Sequence, residues 1–229
     1  MHIEPQQVLV NFLAILMALT FHEFAHAWVA NFMGDPTPNA HNRLNLNPMT
    51  MIRNYPLGAL IFPLIGAFNG FLFGYAATPV NPHMVDRKYS YRQAERWISA
   101  AGPLSNLLFG IVSALTLALL IRYGGSHLKE GGEFAKNLEP LVMLCSALVQ
   151  ANLVLFLFNL IPIPPLDGFI LAKNSAPRSS SGIFEQLEQA GMLPILLVFM
   201  FGGRLISPLL STLNQLIYGL AAQLTLLLP

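Results

Sequence analysis

The chain is poor in charged residues: only 10% of its 229 residues are Asp, Glu, Lys or Arg, whereas 54% are hydrophobic. A soluble domain usually carries about 25% charged residues, so this composition predicts a polytopic membrane protein in contact with a lipid bilayer. The net charge of +1 offers no basic surface of the kind that binds nucleic acid, and we expect no nucleic-acid partner.

Cysteine is almost absent as well, since Cys145 is the single one. One cysteine excludes an internal disulfide bond and any zinc site built on cysteine ligands. The N-terminus lacks the basic segment of a cleaved signal peptide, and the first apolar run is longer than a signal-peptide core of about 7–15 residues. We therefore expect this first run to remain as a membrane-spanning helix.

Apolar runs long enough to span a bilayer, which takes about 20 residues, cover residues 6–33, 97–121 and 141–160. The C-terminal residues 183–229 are apolar enough for about two further helices, and we expect the bend between them at Gly202–Arg204. Alternation of residue types over 43–47 predicts a weak strand. We find no repeats and no separate soluble domain, so we expect one membrane-embedded domain over residues 1–229, with its core at 6–172.

Three ionisable residues, His22, Glu23 and His26, lie within the first apolar run. Ionisable side chains are costly at membrane depth and by default indicate a function. The spacing His-Glu-x-x-His puts both histidines on one face of a helix, where they can bind one Zn²⁺ while Glu23 acts as a general base. The alternative is a chance occurrence on a solvated helix face, which the apolar surroundings disfavour.

A catalytic zinc site takes three protein ligands, so the two histidines need a third. Asp167 follows a proline-rich stretch at the end of the third apolar run, and irregular backbone at membrane depth has to line a cavity or pack within the protein. The alternative is that Asp167 caps a helix beginning near Phe169. The other candidate ligands in the sequence are His41, His83, His127, Asp35 and Asp86.

Three motifs occur together in one order: His22-Glu-Phe-Ala-His26, Gly102-Pro-Leu-Ser-Asn106 and Asn159-Leu-Ile-Pro-Ile-Pro-Pro-Leu-Asp167-Gly168. In these motifs the chain resembles the site-2 protease family of intramembrane zinc metalloproteases. The stretches Gly34-Asp-Pro-Thr, Arg43-Leu-Asn-Leu-Asn-Pro48 and Pro79-Val-Asn-Pro82 resemble its compact prokaryotic branch, which lacks PDZ and CBS domains.

The resemblance implies that His22, His26 and Asp167 bind one Zn²⁺ per chain and that Glu23 is the catalytic base. It also implies that Asn159 orients the substrate or stabilises the oxyanion. The weak strand at 43–47 could pair with an extended substrate by edge addition. The candidate substrate-binding residues are Arg43, Leu44, Asn45 and Leu46 of this strand, together with Asn106. The alternative for Asn106 is a hydrogen bond to a neighbouring membrane helix.

If the three ligands share one metal, the ends of helices 6–33 and 141–160 meet, so these helices run parallel. The segment 97–121 then supplies the one return crossing. Residues 57–77, which contain Pro63 and several glycines, make no net crossing, and we predict a re-entrant or surface-lying hairpin there. Eight basic residues then lie on the active-site side and four, including Arg204, on the other. The positive-inside rule predicts an active site towards the cytoplasm and an N-terminus outside the cell membrane.

The sequence thus predicts an all-α polytopic membrane protein. Its core is three transmembrane helices plus a re-entrant hairpin, with a small membrane-associated β element and about two C-terminal helices. We expect an intramembrane zinc metalloprotease that hydrolyses peptide bonds within or near transmembrane segments, as in regulated intramembrane proteolysis. Its partner would be a transmembrane protein or peptide substrate. The alternative is a non-proteolytic membrane metal-binding scaffold or a transporter that uses the same ligands.

Overall fold

The computed structural model describes residues 4–69, 74, 76–130, 132–191 and 193–226. This part of the chain is mainly helical, and it contains no β-strand. The helices are α1 (Pro5–Phe32), α2 (Thr37–Ala40), α3 (Pro48–Asn54), a π-helical turn (Leu57–Ile61) that leads into α4 (Phe62–Asn69), α5 (Tyr91–Glu130), α6 (Glu133–Asn159), α7 (Asp167–Ser175), a 3₁₀ turn (Arg178–Ser180), α8 (Ser181–Gln189) and α9 (Leu193–Leu226).

Helices α1, α5 and α6 form the core of the fold. Within the described ranges they are the three helices long and apolar enough to cross a membrane, which confirms the three spans predicted from the sequence. Small residues let α1 and α6 approach closely, as is common between membrane helices. Ala14 and Ala18 of α1 are completely buried in the same cluster as Ala147 and Ala151 of α6.

Contacts near the ends of the helices give their directions. Near the start of α1, the Gln6 amide lies 3.6 Å from Met143 Sδ in the first half of α6, and the far ends of both helices meet at the site described below. Helices α1 and α6 are therefore parallel. His26 near the end of α1 bonds the carbonyl of Ile98 near the start of α5 at 2.7 Å. Helix α5 therefore runs antiparallel to the other two.

Helix α9 continues without interruption from Leu193 to Leu226, so the bend predicted at Gly202–Arg204 is wrong. Glycines cost a helix only about 1 kcal/mol each, which a long packed helix tolerates. The break lies earlier, where Gly191 adopts a left-handed conformation with φ of +61° just after α8 ends, as is typical of a helix C-terminus.

Helix α9 packs along the bundle from one end to the other. Its early residue Ile195 packs in one cluster with Phe158 at the end of α6. At its other end, the carbonyl of Thr225 accepts a hydrogen bond from Arg122 of α5. The two helical segments after residue 180 are therefore a short α8 and a long α9, which divide the chain differently from the prediction.

The apolar segment after α3 is helical and short. The helix Leu57–Phe68 has fewer than the about 20 residues that a span needs, and no reversal occurs within residues 57–69. The predicted hairpin would turn at residues 70–73, which lie outside the described part of the chain, so the hairpin stays a prediction. Gly74 is back beside the start of this segment: a Cβ placed on it would lie 2.9 Å from Pro63 Cγ and 3.4 Å from the Gly58 carbonyl oxygen.

The weak strand predicted at residues 43–47 is wrong, because residues 44 and 45 form bends and residues 43, 46 and 47 have no regular secondary structure. Their asparagines bond locally instead of joining a ladder. Asn45 donates to the carbonyl of Asn42 at 2.6 Å and accepts from the backbone N–H of Asn47 at 2.9 Å. Asn47 in turn caps α3 by accepting from the Met49 N–H. Side-chain bonds of this kind compete with strand pairing.

Candidate metal centre

His22, Glu23 and His26 lie in the C-terminal half of α1, on the side that faces the other core helices. All three side chains are buried, with 4%, 7% and 8% of their surface exposed. The regular helix places the two imidazoles one turn apart on one face, and their Nε2 atoms lie 3.0 Å from each other.

Asp167 completes the cluster from the parallel helix end. After α6 ends, a turn of seven residues leads to Asp167, the first residue of α7. Its Oδ2 lies 3.2 Å from His22 Nε2 and 3.3 Å from His26 Nε2. The helix cap at this point is Leu166, so the alternative interpretation of Asp167 as an N-cap does not match the structure.

Gly168 permits the tight turn that delivers Asp167. A Cβ on Gly168 would lie 2.3 Å from the Leu160 carbonyl oxygen and 2.6 Å from that of Ile161, closer than real Cβ atoms come to backbone. Gly102 of α5 likewise leaves room for its neighbours, here the two histidine rings. A Cβ there would lie 2.3 Å from His26 Nε2 and 2.6 Å from His22 Cε1. Both glycines are therefore required by close approach.

The hydrogen bonds behind the histidines define which ring nitrogens carry protons. His26 Nδ1 faces the Ile98 carbonyl oxygen at 2.7 Å, and a carbonyl can only accept. His22 Nδ1 faces Asn106 Oδ1 at 2.6 Å, because the Asn106 amide nitrogen donates to the Ala18 carbonyl. Both Nδ1 atoms are therefore protonated donors, and in the neutral rings both Nε2 atoms carry lone pairs.

Three acceptors thus converge without a donor between them: two imidazole lone pairs and a carboxylate oxygen. Among the described residues, the buried Asp167 Oδ2 has no hydrogen-bond donor. Acceptors 3.0–3.3 Å apart repel one another unless a cation lies between them. Two histidines and one carboxylate are a donor set typical of catalytic Zn²⁺ sites, so these residues fit the metal that the sequence predicts.

Glu23 lies beside this cluster and is held by a residue that the sequence did not single out. The hydroxyl of Thr78 lies 2.7 Å from Glu23 Oε2 and donates to it. Both residues line a cavity of about 170 Å³ that is also lined by the three candidate metal ligands and by Asn159. The cavity therefore gathers a candidate metal-binding set, a carboxylate and an amide in one place.

Asn159 is the last residue of α6 and is half-buried at the cavity wall. Its amide nitrogen donates to the Leu155 carbonyl at 3.0 Å. This bond leaves the second N–H and the side-chain oxygen of Asn159 for other partners.

A second, polar cavity of about 490 Å³ shares Pro165 and Ile170 with the first and is also lined by Arg92, Glu95, Lys173 and Glu188.

The five candidate substrate-binding residues differ in how buried they are and in whether they line a cavity. Asn106 is completely buried behind His22 and does not line the cavity. Arg43 is also buried, with its guanidinium over the Tyr55 ring at 5.7 Å, and it lines a small pocket together with Asn45, Glu23 and Thr78. Leu44 is half-buried and Leu46 is exposed.

The other candidate ligands lie elsewhere. Asp35 accepts from the backbone N–H groups of Thr37 at 2.9 Å and of Asn81 at 2.6 Å. Asp86 pairs with Lys88 at 3.4 Å, and its hydrogen bond raises the pKa of the Lys88 ammonium. His83 packs on the Tyr91 ring, and His41 is exposed. The side chain of His127 lies outside the described residues.

Comparisons with known proteins show which family the chain is similar to. The model of peptidase family M50 matches residues 10–203. A Bacillus subtilis protein named as a zinc metalloprotease, YwhC, is 33% identical over 202 residues, which cover 87% of this chain and 84% of that protein.

A Mycolicibacterium smegmatis protein named as a zinc metalloprotease, Rip2, is 31% identical over 157 residues. This match covers 67% of this chain and 52% of that protein, about half of its length. No solved structure matches the chain with comparable significance.

Proposed function

Since the chain belongs to peptidase family M50, the site-2 protease family that its motifs predict, we propose that it is a zinc protease that hydrolyses peptide bonds in or next to transmembrane segments. The observation that carries this proposal is the convergence of His22, His26 and Asp167 beside Glu23. That cluster lies at the ends of helices apolar enough to cross a membrane.

The proposed metal ligands are the two histidines of α1 and Asp167 of α7. Zinc held by these residues would polarise the scissile carbonyl and lower the pKa of a water molecule to about 7. Glu23 takes the proton from the attacking water and transfers it to the leaving amine. Thr78 holds the Glu23 carboxylate in the cavity for this step.

Asn159 is the proposed partner of the substrate carbonyl. It lines the same cavity as Asp167, and one N–H of its amide is not used by the bond to Leu155. An amide donor aimed at the developing oxyanion typically contributes about 10²–10³-fold to kcat. We therefore assign Asn159 to stabilising the oxyanion or orienting the scissile bond.

Substrate and water reach the cavity from different surroundings. The exposed faces of the core helices carry apolar side chains such as Leu13 and Leu108, whereas the adjoining cavity carries both acidic and basic side chains and supports entry of water from the aqueous side. A transmembrane substrate has its amides protected in a helix, so it has to unwind before it enters. Because no strand forms at residues 43–47, we do not propose edge addition to that segment.

The proposed orientation places this cavity on the cytoplasmic side. Tyr55 before the short helix packs on Arg43, which shares a pocket with Glu23, and Ala76 after the helix lines the cavity of the candidate metal centre, which supports a segment that does not cross. Arg204 lies within the continuous α9, so it is no longer assigned to the side opposite the active site. The active-site side then carries eight basic residues and the opposite side carries three. The eight are Arg43, Arg53, Arg87, Lys88, Arg92, Arg96, Lys173 and Arg178, and the three are Arg122, Lys129 and Lys136. This excess supports a cytoplasmic active site.

The proposed function is tested with Glu23→Gln, which keeps the size and hydrogen bonding of the side chain but removes the base. Purified Glu23→Gln should bind zinc as the wild type does and should cleave a model transmembrane substrate at least about 10²-fold more slowly, because general base catalysis contributes about 10²–10⁴-fold. Gln186→Glu on the exposed α8 changes a similar group outside the site and should cleave normally. Wild-type cleavage by Glu23→Gln would refute the mechanism, and zinc binding without any cleavage by the wild type would favour a scaffold or transporter.

A further inference from the structure

Asn152 lies in the C-terminal half of α6, completely buried and bonded to the core helix α5. Its side-chain oxygen accepts a hydrogen bond from the Asn106 amide of α5 at 2.9 Å. Its own amide nitrogen donates to the Leu148 carbonyl one turn earlier at 2.8 Å. Asn152 touches neither the cavity nor the metal ligands, but it is linked to His22 through Asn106.

The direction of each hydrogen bond in this chain follows from the backbone carbonyls at its start. The Leu148 carbonyl can only accept, so the Asn152 amide nitrogen has to point towards it and the side-chain oxygen has to point towards Asn106. Asn106 therefore donates with its amide nitrogen, both to Asn152 at 2.9 Å and to the Ala18 carbonyl at 3.1 Å. Its side-chain oxygen is thereby left facing His22.

We propose that Asn152 is a positioning residue for the metal ligand His22 and acts by holding Asn106 in the one amide orientation that keeps His22 protonated at Nδ1. A flipped Asn106 would present N–H groups to His22 Nδ1, which would then have to accept. The ring proton would move to Nε2, where it would point at Asp167 Oδ2 and occupy the lone pair that binds zinc. This inference rests on the proposed function only in taking His22 as a zinc ligand.

His26 provides a natural comparison within the same site. Its Nδ1 donates directly to the Ile98 carbonyl, a backbone group that cannot flip. The tautomer of His26 is therefore set without any side chain, whereas that of His22 depends on the orientation of Asn106, which bonds both the Ala18 carbonyl and Asn152. Changes at Asn152 should affect His22 and leave His26 as it is.

The test compares Asn152→Leu with Gln150→Leu in zinc affinity, measured by competition with a chelator. Asn152→Leu removes the acceptor for Asn106 and should weaken zinc binding by about 10–100-fold, as expected for residues behind metal ligands. Gln150 lies two residues earlier and exchanges amide hydrogen bonds of 3.0 and 3.2 Å with Asn214 of α9. Gln150→Leu therefore removes comparable interhelical hydrogen bonds and should leave zinc affinity unchanged.

Two further measurements separate positioning from packing. The ¹⁵N signals of labelled histidine in zinc-free protein should show His22 protonated at Nδ1 in the wild type and as a tautomer mixture in Asn152→Leu. Asn106→Asp supplies a carboxylate that accepts from His22 in either orientation, so adding Asn152→Leu to it should cost little further affinity. Equal losses in Asn152→Leu and Gln150→Leu, or a wild-type His22 protonated at Nε2, would overturn the proposal. Either result would leave the Glu23→Gln test of the protease unaffected.

Discussion

Thr78 and Glu23 are joined by a short hydrogen bond, 2.7 Å from the Thr78 hydroxyl to Glu23 Oε2, across 55 residues of sequence. Thr78 lies in a segment without regular secondary structure between the short apolar helix and α5. The carboxylate proposed as the catalytic base is thus oriented by a residue outside its own helix. The segment that carries Thr78 is itself attached to the end of α1 by the bond from the Asn81 N–H to Asp35.

Thr78→Val should lower kcat by about tenfold, because a hydrogen bond to a charged group contributes about 1.5–3 kcal/mol and its loss frees the carboxylate to rotate. Zinc content should not change, since Thr78 contacts none of the three proposed ligands in the structure. Thr78→Ser keeps the hydroxyl and should retain most activity. A Thr78→Val enzyme with normal kcat would show that Glu23 does not need this bond.

Gly102→Ala should greatly weaken zinc binding and cleavage, because the new Cβ would lie within 2.6 Å of both imidazole rings and force them apart. The matched control is Gly125→Ala on the same helix, where no heavy atom lies within 4 Å of the added Cβ. Metal analysis and cleavage assays on both variants check the prediction. Normal zinc binding by Gly102→Ala would mean that the rings can shift without loss.

Zinc should raise the thermal stability of the wild type, and the gain should grow with the logarithm of the zinc concentration above the Kd, since a ligand that binds only the folded state stabilises it. A chelator should therefore lower the Tm, and added zinc should restore it. In Asp167→Asn, one anionic ligand becomes a neutral amide, and the dependence of Tm on zinc should largely disappear.

Asp35→Asn serves as the comparison for Asp167→Asn. This carboxylate is completely buried and accepts two backbone N–H groups, so the amide should destabilise the fold by about 1–3 kcal/mol. The shift of Tm on adding zinc should nevertheless remain, because Asp35 is not part of the metal cluster. Loss of that shift in Asp35→Asn would contradict the assignment of the ligands.

Single cysteines placed at His41 and at Arg87 should react with a membrane-impermeant thiol reagent from the same face of the membrane. The prediction follows from a segment 57–77 that makes no net crossing, and a Cys145→Ser background removes the one native thiol. A cysteine at Lys136, near the start of α6, should react from the opposite face. Labelling of positions 41 and 87 from opposite faces would show that the segment crosses.

Local sequence was enough to predict the features that depend on helix geometry and on apolar length. The His22–His26 pair shares a face because a helix repeats every 3.6 residues, and the three spans follow from the length of their apolar runs. Asp167 could be named as a ligand once its motif was seen together with two others. The expected strand at residues 43–47 failed because asparagine side chains bond their own backbone there.

The division of α8 from α9 shows a similar limit. Gly191 ends α8 in a left-handed conformation, whereas Gly202 and Gly203 stay helical within α9. Residue type alone does not separate these cases, because a glycine ends a helix or remains within it according to what its neighbours pack against. The contacts of Ile195 and Thr225 with the core helices hold α9 as one piece.

The proposed metal-binding pair, the proposed general base and the three apolar spans thus follow from residue order, because each depends on spacing or apolar length within one helix. The groups that orient these residues do not follow from residue order. Thr78 and Asn152 reach the site across 55 and 46 residues of sequence, through bonds to Glu23 and to Asn106. Threonine and asparagine in apolar surroundings have many partners to choose from, and only the packing of separate helices brings together the donor and acceptor that pair.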